Sequence, residues 1–303
     1  MLPAKHLLKL GLLLLLTVCT AEADTFGTAA TNFDIDFVSI GFVGEARVDY
    51  EYRIGKFEIS RVQVEIANAL GDLELDFGLD PADLVPRPEM PASGISANEA
   101  ARFINWLNES QGLPHAYRFR TQPGEEGYNS NETFGSWEPG QPGYNPDNVL
   151  RNDLATYVIP SDREWVKAAY FVPGFGLRNT PGNTIDGNEY ALMRLRGNGG
   201  PVDVMEAGTA TNGVVGMFGN VREVTETPLG GPDGVFFASI GGAWSDRNQK
   251  AERSLFEAVG YNIELRLQGF RVASVPEPTC NSLWLVGLLF VSRRLIPNKR
   301  KTG

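Results

Sequence analysis

The sequence predicts one loop-rich domain of the α+β class, and three observations support that class. Apolar and polar residues alternate over residues 48–59, which indicates a half-buried strand. Two segments with helical spacing each begin at a serine that has a glutamate three residues later, the pattern of a capped helix. The 303 residues also include 34 Gly and 19 Pro, which favours many loops over a helix bundle.

The first 23 residues are predicted to be a secretory signal, outside the fold. Lys5 and Lys9 precede a short apolar run, LGLLLLLTVC, and AEA at 21–23 has the small residues of a cleavage site. A membrane anchor is the alternative, although the run is short for a span. We therefore expect cleavage after Ala23.

Three helices are predicted after the strand. RVQVEIANAL (61–70) has apolar residues at helical spacing, and a proline-rich connection follows at 80–91. The helix in SANEAARFINWLNESQG has Ser96 as its cap and an apolar stripe formed by Ala100, Phe103, Ile104 and Leu107. The helix in IPSDREWVKAAYF has Ser161 as its cap and Glu164 closing the capping box.

Two stretches rich in Gly and Asn, 122–153 and 174–200, are predicted to be loops. Tyr128, Trp137 and Tyr144 lie in the first loop among amides and acids. Such aromatics either pin a loop to the body or contact a sugar or another protein. Three further tryptophans lie in the regular segments and are expected in the core: Trp106, Trp165 and Trp244.

The charge of the body argues against nucleic-acid binding. The chain has a net charge of −10, but its two ends are basic, which leaves about −16 between them. Phosphates require a basic surface, so no nucleic-acid partner is expected. Solubility outside the cytoplasm is one explanation of the acidic body, and cation binding is the other.

Cysteine and histidine are nearly absent from the body. Cys19 lies in the signal and Cys280 in the C-terminal tail, so the body has neither a disulfide nor a cysteine nucleophile. His115 is its single histidine, which excludes a zinc or iron site built from several histidines. We expect His115 to be a turn residue.

The C-terminal segment, 275–303, has three features in a fixed order. Pro276, Glu277 and Pro278 precede an apolar run at 283–291, and Arg293 and Arg294 follow it directly. This order resembles the PEP-CTERM sorting signal of Gram-negative bacteria, which an exosortase recognises. The resemblance implies export across the inner membrane, transient anchoring by the tail, and a final place at the cell surface or outside the cell.

Six segments of the body occur in the order found in one family: YRIGKFEIS, AARFINWLN, IPSDREWVKAAYF, GMFGNVREVTE, IGGAW and GFRVAS. In this order they resemble the sulfatase-modifying-factor family, the domain of formylglycine-generating enzyme. The resemblance covers 52–274. It implies the C-type-lectin-related fold of that enzyme, in a single domain at 24–274.

Two departures from the family affect its chemistry. Arg222 and Val224 stand where the family usually has tryptophans. In the catalytic branch, a cysteine pair soon after the Gly-Gly-Ser segment binds copper and activates oxygen. The matching segment here, GGAWSDRNQKAERSLFEAV, has no cysteine. We therefore expect neither copper nor formylglycine-generating activity, and assign no catalytic residue.

Two function classes remain. The first is an exported, non-catalytic domain that binds an extracellular polysaccharide or protein, or serves in the extracellular matrix. The alternative is an enzyme that uses the polar group nearest to the missing cysteines: Asp246, Arg247, Glu252 and Arg253. Surface ion pairs on a solvated loop are the other interpretation of that group.

The family resemblance also implies a calcium ion beside the GNVREV segment. The ligands would be the backbone carbonyls of Gly219 and Val221 and the carboxylate of Glu223. Calcium binds six to eight oxygens, and a turn beside one carboxylate offers several. The alternative is that Glu223 pairs with an arginine.

Overall fold

The computed structural model describes residues 22–41, 48–77, 87–172, 176–177, 200–210, 212–230, 236–244, 256–260 and 263–275. Within these residues the chain forms three α-helices and eleven strands. The helices are α1 (Arg61–Gly71), α2 (Ala97–Ser110) and α3 (Asp162–Tyr170). The strands are β1 (Glu22–Gly27), β2 (Asn32–Ile40), β3 (Tyr52–Gly55), β4 (Tyr157–Val158), β5 (Phe171–Val172), β6 (Gly176–Leu177), β7 (Arg222–Leu229), β8 (Phe236–Ile240), β9 (Phe256–Gly260), β10 (Gln268–Gly269) and β11 (Ala273–Ser274).

The larger sheet has five antiparallel strands in the order β1-β2-β3-β11-β4. Strand β11 lies between β3 and β4, where Ala273 pairs with Ile54 on one side and Val158 on the other. The second sheet has the order β10-β7-β8-β9, with β10 parallel to β7, and β5 pairs with β6 in a small hairpin. The α+β class predicted from the sequence is therefore correct.

Helix α2 lies in the centre of the domain. The predicted capping box is present, with the Ser96 side chain accepting from the Glu99 N–H at 3.3 Å. The predicted apolar stripe is fully buried, but every residue from Ala97 to Asn108 is buried as well. The polar ones hold neighbouring segments, since Asn105 donates to the Tyr117 carbonyl at 2.7 Å and Asn108 to that of Tyr157 at 2.8 Å. Buried amides of this kind need partners, and these have them.

Two apolar clusters form the core. The larger one packs α1 and α2 against β1 and β2, and it includes Trp106. The smaller one lies around α3 and β8 and includes Trp165. Both tryptophans are core residues, as predicted, whereas Trp244 is only half-buried.

The strand predicted at 48–59 is shorter than expected. Strand β3 covers four residues, because the chain bends at 56–57 and α1 begins at Arg61; Lys56 still donates to the Asp36 carbonyl. Strands β1 and β2 were not predicted. Strand β1 includes Glu22 and Ala23, which precede the predicted cleavage point.

The loop predicted at 122–153 has no helix or strand. Two of its aromatics pin it to the body: the Tyr128 hydroxyl donates to the Leu73 carbonyl at 3.1 Å, and the Trp137 indole N–H donates to the Ala116 carbonyl at 3.0 Å. Of the loop predicted at 174–200, all but 176–177 and 200 lies outside the described residues. Within the described ranges, none of the helices is long and apolar enough to cross a membrane.

Candidate functional site

Strand β7 places two glutamates in the interior. Glu223 is 1% exposed and Glu226 is 2% exposed. The pairing of β7 with β8 shifts register between Val224 and Pro228, a bulge that contains Glu226. A bulge re-aims the side chains it contains. Each glutamate meets a different buried arginine, so β7 connects two ionic clusters.

The first cluster joins Glu226, Glu164 and Arg151. The Arg151 guanidinium donates to Glu164 Oε1 at 3.0 Å and to Glu164 Oε2 at 2.7 Å. It also donates to Glu226 Oε2 at 3.0 Å and lies 2.8 Å from Glu226 Oε1. Glu226 further accepts from the Tyr117 hydroxyl at 2.7 Å and the Asn148 amide at 2.6 Å. One guanidinium therefore serves two buried carboxylates.

The pKa values of these two carboxyl groups move in opposite directions. Burial would raise the pKa of Glu164, but the Arg151 charge and its hydrogen bonds lower it to about 2. Burial raises the pKa of Glu226, the Arg151 charge opposes this, and the Glu164 charge adds to it. Separated pKa values in neighbouring carboxyls are typical of acid–base catalysis, but structural ion pairs produce them too. Here Glu164 is 0% exposed, and Glu226 is 2% exposed.

A cavity of about 560 Å³ lies above this cluster, between four segments of the chain. Glu226 forms part of its floor. The walls come from the segment before β3, the loop before β4, the start of α3 and the end of β7. The polar lining side chains are Tyr50, Asp147, Asn148, Ser161, Asp162, Arg163 and Thr227. The volume is in the range of small-molecule sites, about 300–1,000 Å³.

The second cluster joins Glu223, Arg271 and Trp165. The Arg271 guanidinium, 0% exposed, donates to both Glu223 oxygens at 2.5 Å. The Trp165 indole N–H donates to Glu223 Oε2 at 2.8 Å. Arg271 also donates to the carbonyls of Gly55 and Val215, at 2.9 Å and 3.0 Å. This arginine thus binds the start of β7 to segments from both halves of the chain.

Glu58 lies next to the second cluster and is 2% exposed. It accepts from the Asn220 amide at 2.6 Å and from the Val221 N–H at 3.2 Å. A Cβ at Gly216, where φ is +80°, would lie 3.2 Å from its carboxylate, so this close approach favours glycine. Burial raises the pKa of Glu58 to about 8, the charge of Glu223 adds to this, and Arg271 opposes it.

The predicted calcium ligand Glu223 is therefore paired with an arginine, the alternative left open by the sequence. A calcium ion bound to this carboxylate would lie beside the Arg271 guanidinium, and two positive charges repel strongly in a buried site. As arranged here, Glu223 does not fit a calcium site. Among the described residues there is also no group of three or more His, Cys, Asp or Glu side chains that could hold a metal.

The predicted polar group Asp246, Arg247, Glu252 and Arg253 lies outside the described residues, as do the sorting residues Pro276, Glu277, Pro278, Arg293 and Arg294. The described range before the polar group ends at Trp244. This residue borders a small cavity of about 20 Å³, together with Gly219 and Asn220. Such a volume holds about one water molecule. His115 is half-buried in a loop, 3.4 Å from Glu109.

Arg151, Glu226 and Glu58 were not predicted from the sequence to belong to a site. Glu164 was assigned only to its capping box, which it does form: Ser161 N–H donates to Glu164 Oε2 at 2.6 Å. One signal was available for Glu226, since it follows the apolar Val224 by two residues, a spacing that places two side chains of a strand on the same face. Its partner Arg151 comes from a loop 75 residues earlier, and no local pattern connects them.

Comparison with known proteins identifies relatives of this chain. The family model described as "Sulfatase-modifying factor enzyme 1-like domain" matches residues 48–275. A search of curated proteins found no match.

Three solved structures resemble the fold. Treponema denticola variable protein 1 is 16% identical with a TM-score of 0.61, over 85% of this chain and 100% of its own. PvdO from Pseudomonas aeruginosa is 14% identical with a TM-score of 0.51, over 84% and 92%. CarF is 16% identical with a TM-score of 0.52, over 84% and 97%. At these identities the likeness concerns the fold alone.

Proposed function

The chain belongs to the sulfatase-modifying factor enzyme 1-like domain family, and from this premise we propose that it is an exported, non-catalytic binding domain. Its ligand is an extracellular polysaccharide or protein. One observation carries the proposal: the buried carboxylates are fully engaged by structural donors, while the cavity above them stays open. The family fold thus supplies a rigid surface for recognition.

The absence of catalysis rests on what the interior offers. Glu164 and Glu226 have the separated pKa values of an acid–base pair, but Glu164 is fully buried and both accept hydrogen bonds from Arg151. Glu226, which lies in the cavity floor, also accepts from Tyr117 and Asn148, so its oxygens are already engaged. A general base must lie within hydrogen-bond reach of its substrate. Residues 24–274 contain no cysteine, so the thiolate that would bind copper and exchange with a substrate cysteine is missing.

Export and sorting rest on the two ends of the sequence. The signal at 1–23 directs the chain across the inner membrane, and the exosortase acts at Pro276, Glu277 and Pro278. Cleavage after Ala23 would keep Asp24, whose carboxylate accepts from Arg53 at 2.6 Å and from the Tyr157 hydroxyl at 2.9 Å, in the processed chain. It would remove Glu22 and Ala23, which pair with Phe37 and Asp36 of β2.

A peptide assay tests the non-catalytic role. The purified protein is incubated with copper, oxygen and a sulfatase peptide that contains the target cysteine, and the peptide is weighed by mass spectrometry. We expect the peptide to keep its cysteine. Conversion to the aldehyde would overturn the proposal and require a mechanism without an enzyme cysteine.

A deletion tests the sorting role. A chain without residues 275–303 should be exported but should remain unprocessed at its C-terminus and should not reach the same final location. A second variant replaces Arg293 and Arg294 by alanine and keeps the rest of the tail; if these arginines belong to the signal, its sorting should fail as well. Identical processing and location for the deleted and intact chains would contradict the proposal.

A further inference from the structure

The wall of the cavity that contains Tyr50 is held in place from two sides. The Tyr50 hydroxyl donates to Glu164 Oε1 at 2.6 Å. The buried Lys167 ammonium donates to the Tyr50 carbonyl at 3.2 Å and to the Val48 carbonyl at 3.2 Å. The Tyr50 side chain nevertheless remains 40% exposed. The cavity therefore presents an aromatic ring whose position is fixed before any ligand arrives, which lowers the entropy cost of binding.

Four polar side chains surround the Tyr50 ring at the rim of the cavity: Asp147, Asn148, Arg163 and Thr227. Asp147 and Arg163 are exposed, and within the described ranges neither side chain has a hydrogen-bond or ion-pair partner. Asn148 and Thr227 are half-buried at the inner edge and are fixed by their bonds to Glu226 and Asp162. The rim can thus both accept and donate hydrogen bonds.

The charge of the cavity selects against anions. Its floor includes the carboxylate of Glu226, which shares the Arg151 guanidinium with Glu164 beneath it. Asp147 and Asp162 add negative charge at the rim, and Arg163 is the one cation among the described lining residues. A surplus of like charge in a cleft repels ligands of that sign. A sulfated or carboxylated chain is therefore a poor ligand here.

We propose that this cavity binds an uncharged oligosaccharide, which names the ligand class of the proposed binding domain and rests on that function. The apolar C–H face of a sugar ring packs on the Tyr50 ring, because Tyr50 is the one aromatic side chain among the described lining residues and is partly exposed. The hydroxyl groups donate to the Asp147 carboxylate and accept from the Arg163 guanidinium, the two charged groups that lack partners in the described structure. An uncharged sugar carries both hydrogen-bond donors and acceptors on one ring. It can therefore bind the acceptor Asp147 and the donor Arg163 without bringing a charge into the cavity.

Isothermal titration calorimetry on the full chain tests the proposal. The probes are neutral hexasaccharides of glucose, mannose, galactose and N-acetylglucosamine, with an alginate hexasaccharide as the anionic comparison. We expect binding of at least one neutral probe and none of the anionic one. Tyr50→Ala should weaken binding about tenfold, and Asp147→Asn and Arg163→Ala about fivefold each.

Matched variants separate recognition from folding. Tyr50→Phe keeps the ring and should keep most of the affinity. Arg120→Ala removes an arginine whose side chain is 93% exposed and lies away from this cavity, so it should leave affinity unchanged. Asp147 and Arg163 have no structural partners in the described chain, so their variants should fold normally.

Three results would overturn the inference: no neutral probe binds, Arg120→Ala and Arg163→Ala lower affinity equally, or a peptide library binds at this cavity while the sugars do not. The peptide-aldehyde assay gives a separate answer on the proposed function. Aldehyde formation would overturn that function itself, whereas failure of sugar binding without aldehyde formation overturns only the ligand class.

Discussion

Replacing Glu58 by glutamine should flatten the dependence of stability on pH above pH 5. Glu58 is buried beside Glu223, with one guanidinium, that of Arg271, as the countercharge of the cluster. A second ionised carboxylate there is unfavourable, so the folded protein keeps a proton on Glu58. Glutamine is the uncharged side chain of the same size and no longer titrates.

The magnitude follows from the two pKa values. Burial and the Glu223 charge raise the pKa of Glu58 from 4.5 to about 8 in the folded protein. Between those values the folded state binds one more proton than the unfolded state. The free energy of unfolding therefore falls as pH rises, by about 1.4 kcal/mol per pH unit. The contribution is fully present below the unfolded pKa, and about 3 kcal/mol of it is lost between pH 5 and pH 7.

Urea unfolding followed by tryptophan fluorescence at pH 5, 6, 7 and 8 measures this slope. Glu226 also has a raised pKa and adds a slope of the same sign, so the informative quantity is the difference between wild type and Glu58→Gln. Glutamine offers one acceptor fewer to Asn220 and Val221, which lowers stability at all pH values but leaves the slope unaffected. Glu65→Gln, an exposed position on α1, should keep the wild-type slope. Equal slopes for wild type and Glu58→Gln would refute the reasoning.

Three further predictions concern the ionic clusters. Arg271→Met should lower the free energy of unfolding by about 3–5 kcal/mol, because it leaves Glu223 buried without a countercharge. In urea unfolding, the double variant with Glu223→Gln should recover part of this loss, and no recovery would contradict the pairing. Acid titration followed by circular dichroism should show the stability of wild type falling as pH drops from 4.5 towards 2, because ionised Glu164 pairs with Arg151. Glu164→Gln should lose this fall in stability at acid pH. The same fall in the variant would exclude Glu164 as its cause. A calcium chelator should leave the melting temperature of wild type and of Glu223→Gln unchanged, because Arg271 already binds the Glu223 carboxylate. A lower melting temperature in wild type alone would support the calcium ion that the family resemblance implies.

Local patterns predicted the helices because each is specified by neighbouring residues. Ser96 with Glu99 and Ser161 with Glu164 form the capping boxes that the sequence indicates. The family order of motifs predicted the fold in the same way, and the family match confirms it. Strand β3 was predicted too long because the alternation of polar and apolar residues continues through 56–59, where the chain bends and both Glu58 and Ile59 are buried.

The ionic clusters could not be predicted, because their members are distant in sequence. Arg151 reaches Glu226 from a loop, and Arg271 reaches Glu223 from the last part of the domain. A sequence pattern shows that a carboxylate lies in a strand, but it does not show which arginine or lysine pairs with it. The calcium prediction illustrates the difficulty, since Glu223 was singled out as a calcium ligand, while the sequence left open which arginine it could pair with, and the structure pairs it with Arg271.

The position of β11 has a consequence for the time course of folding. Strands β3 and β4 do not pair with each other, and β11 joins them only through residues 273–274. Contacts between residues so far apart form slowly, because a long loop must close first. During the proposed export, the five-stranded sheet would stay incomplete until residues 273–274, near the end of the body, have crossed the membrane. The sheet would then be completed by residues that directly precede the segment at 276–278 on which the exosortase is proposed to act.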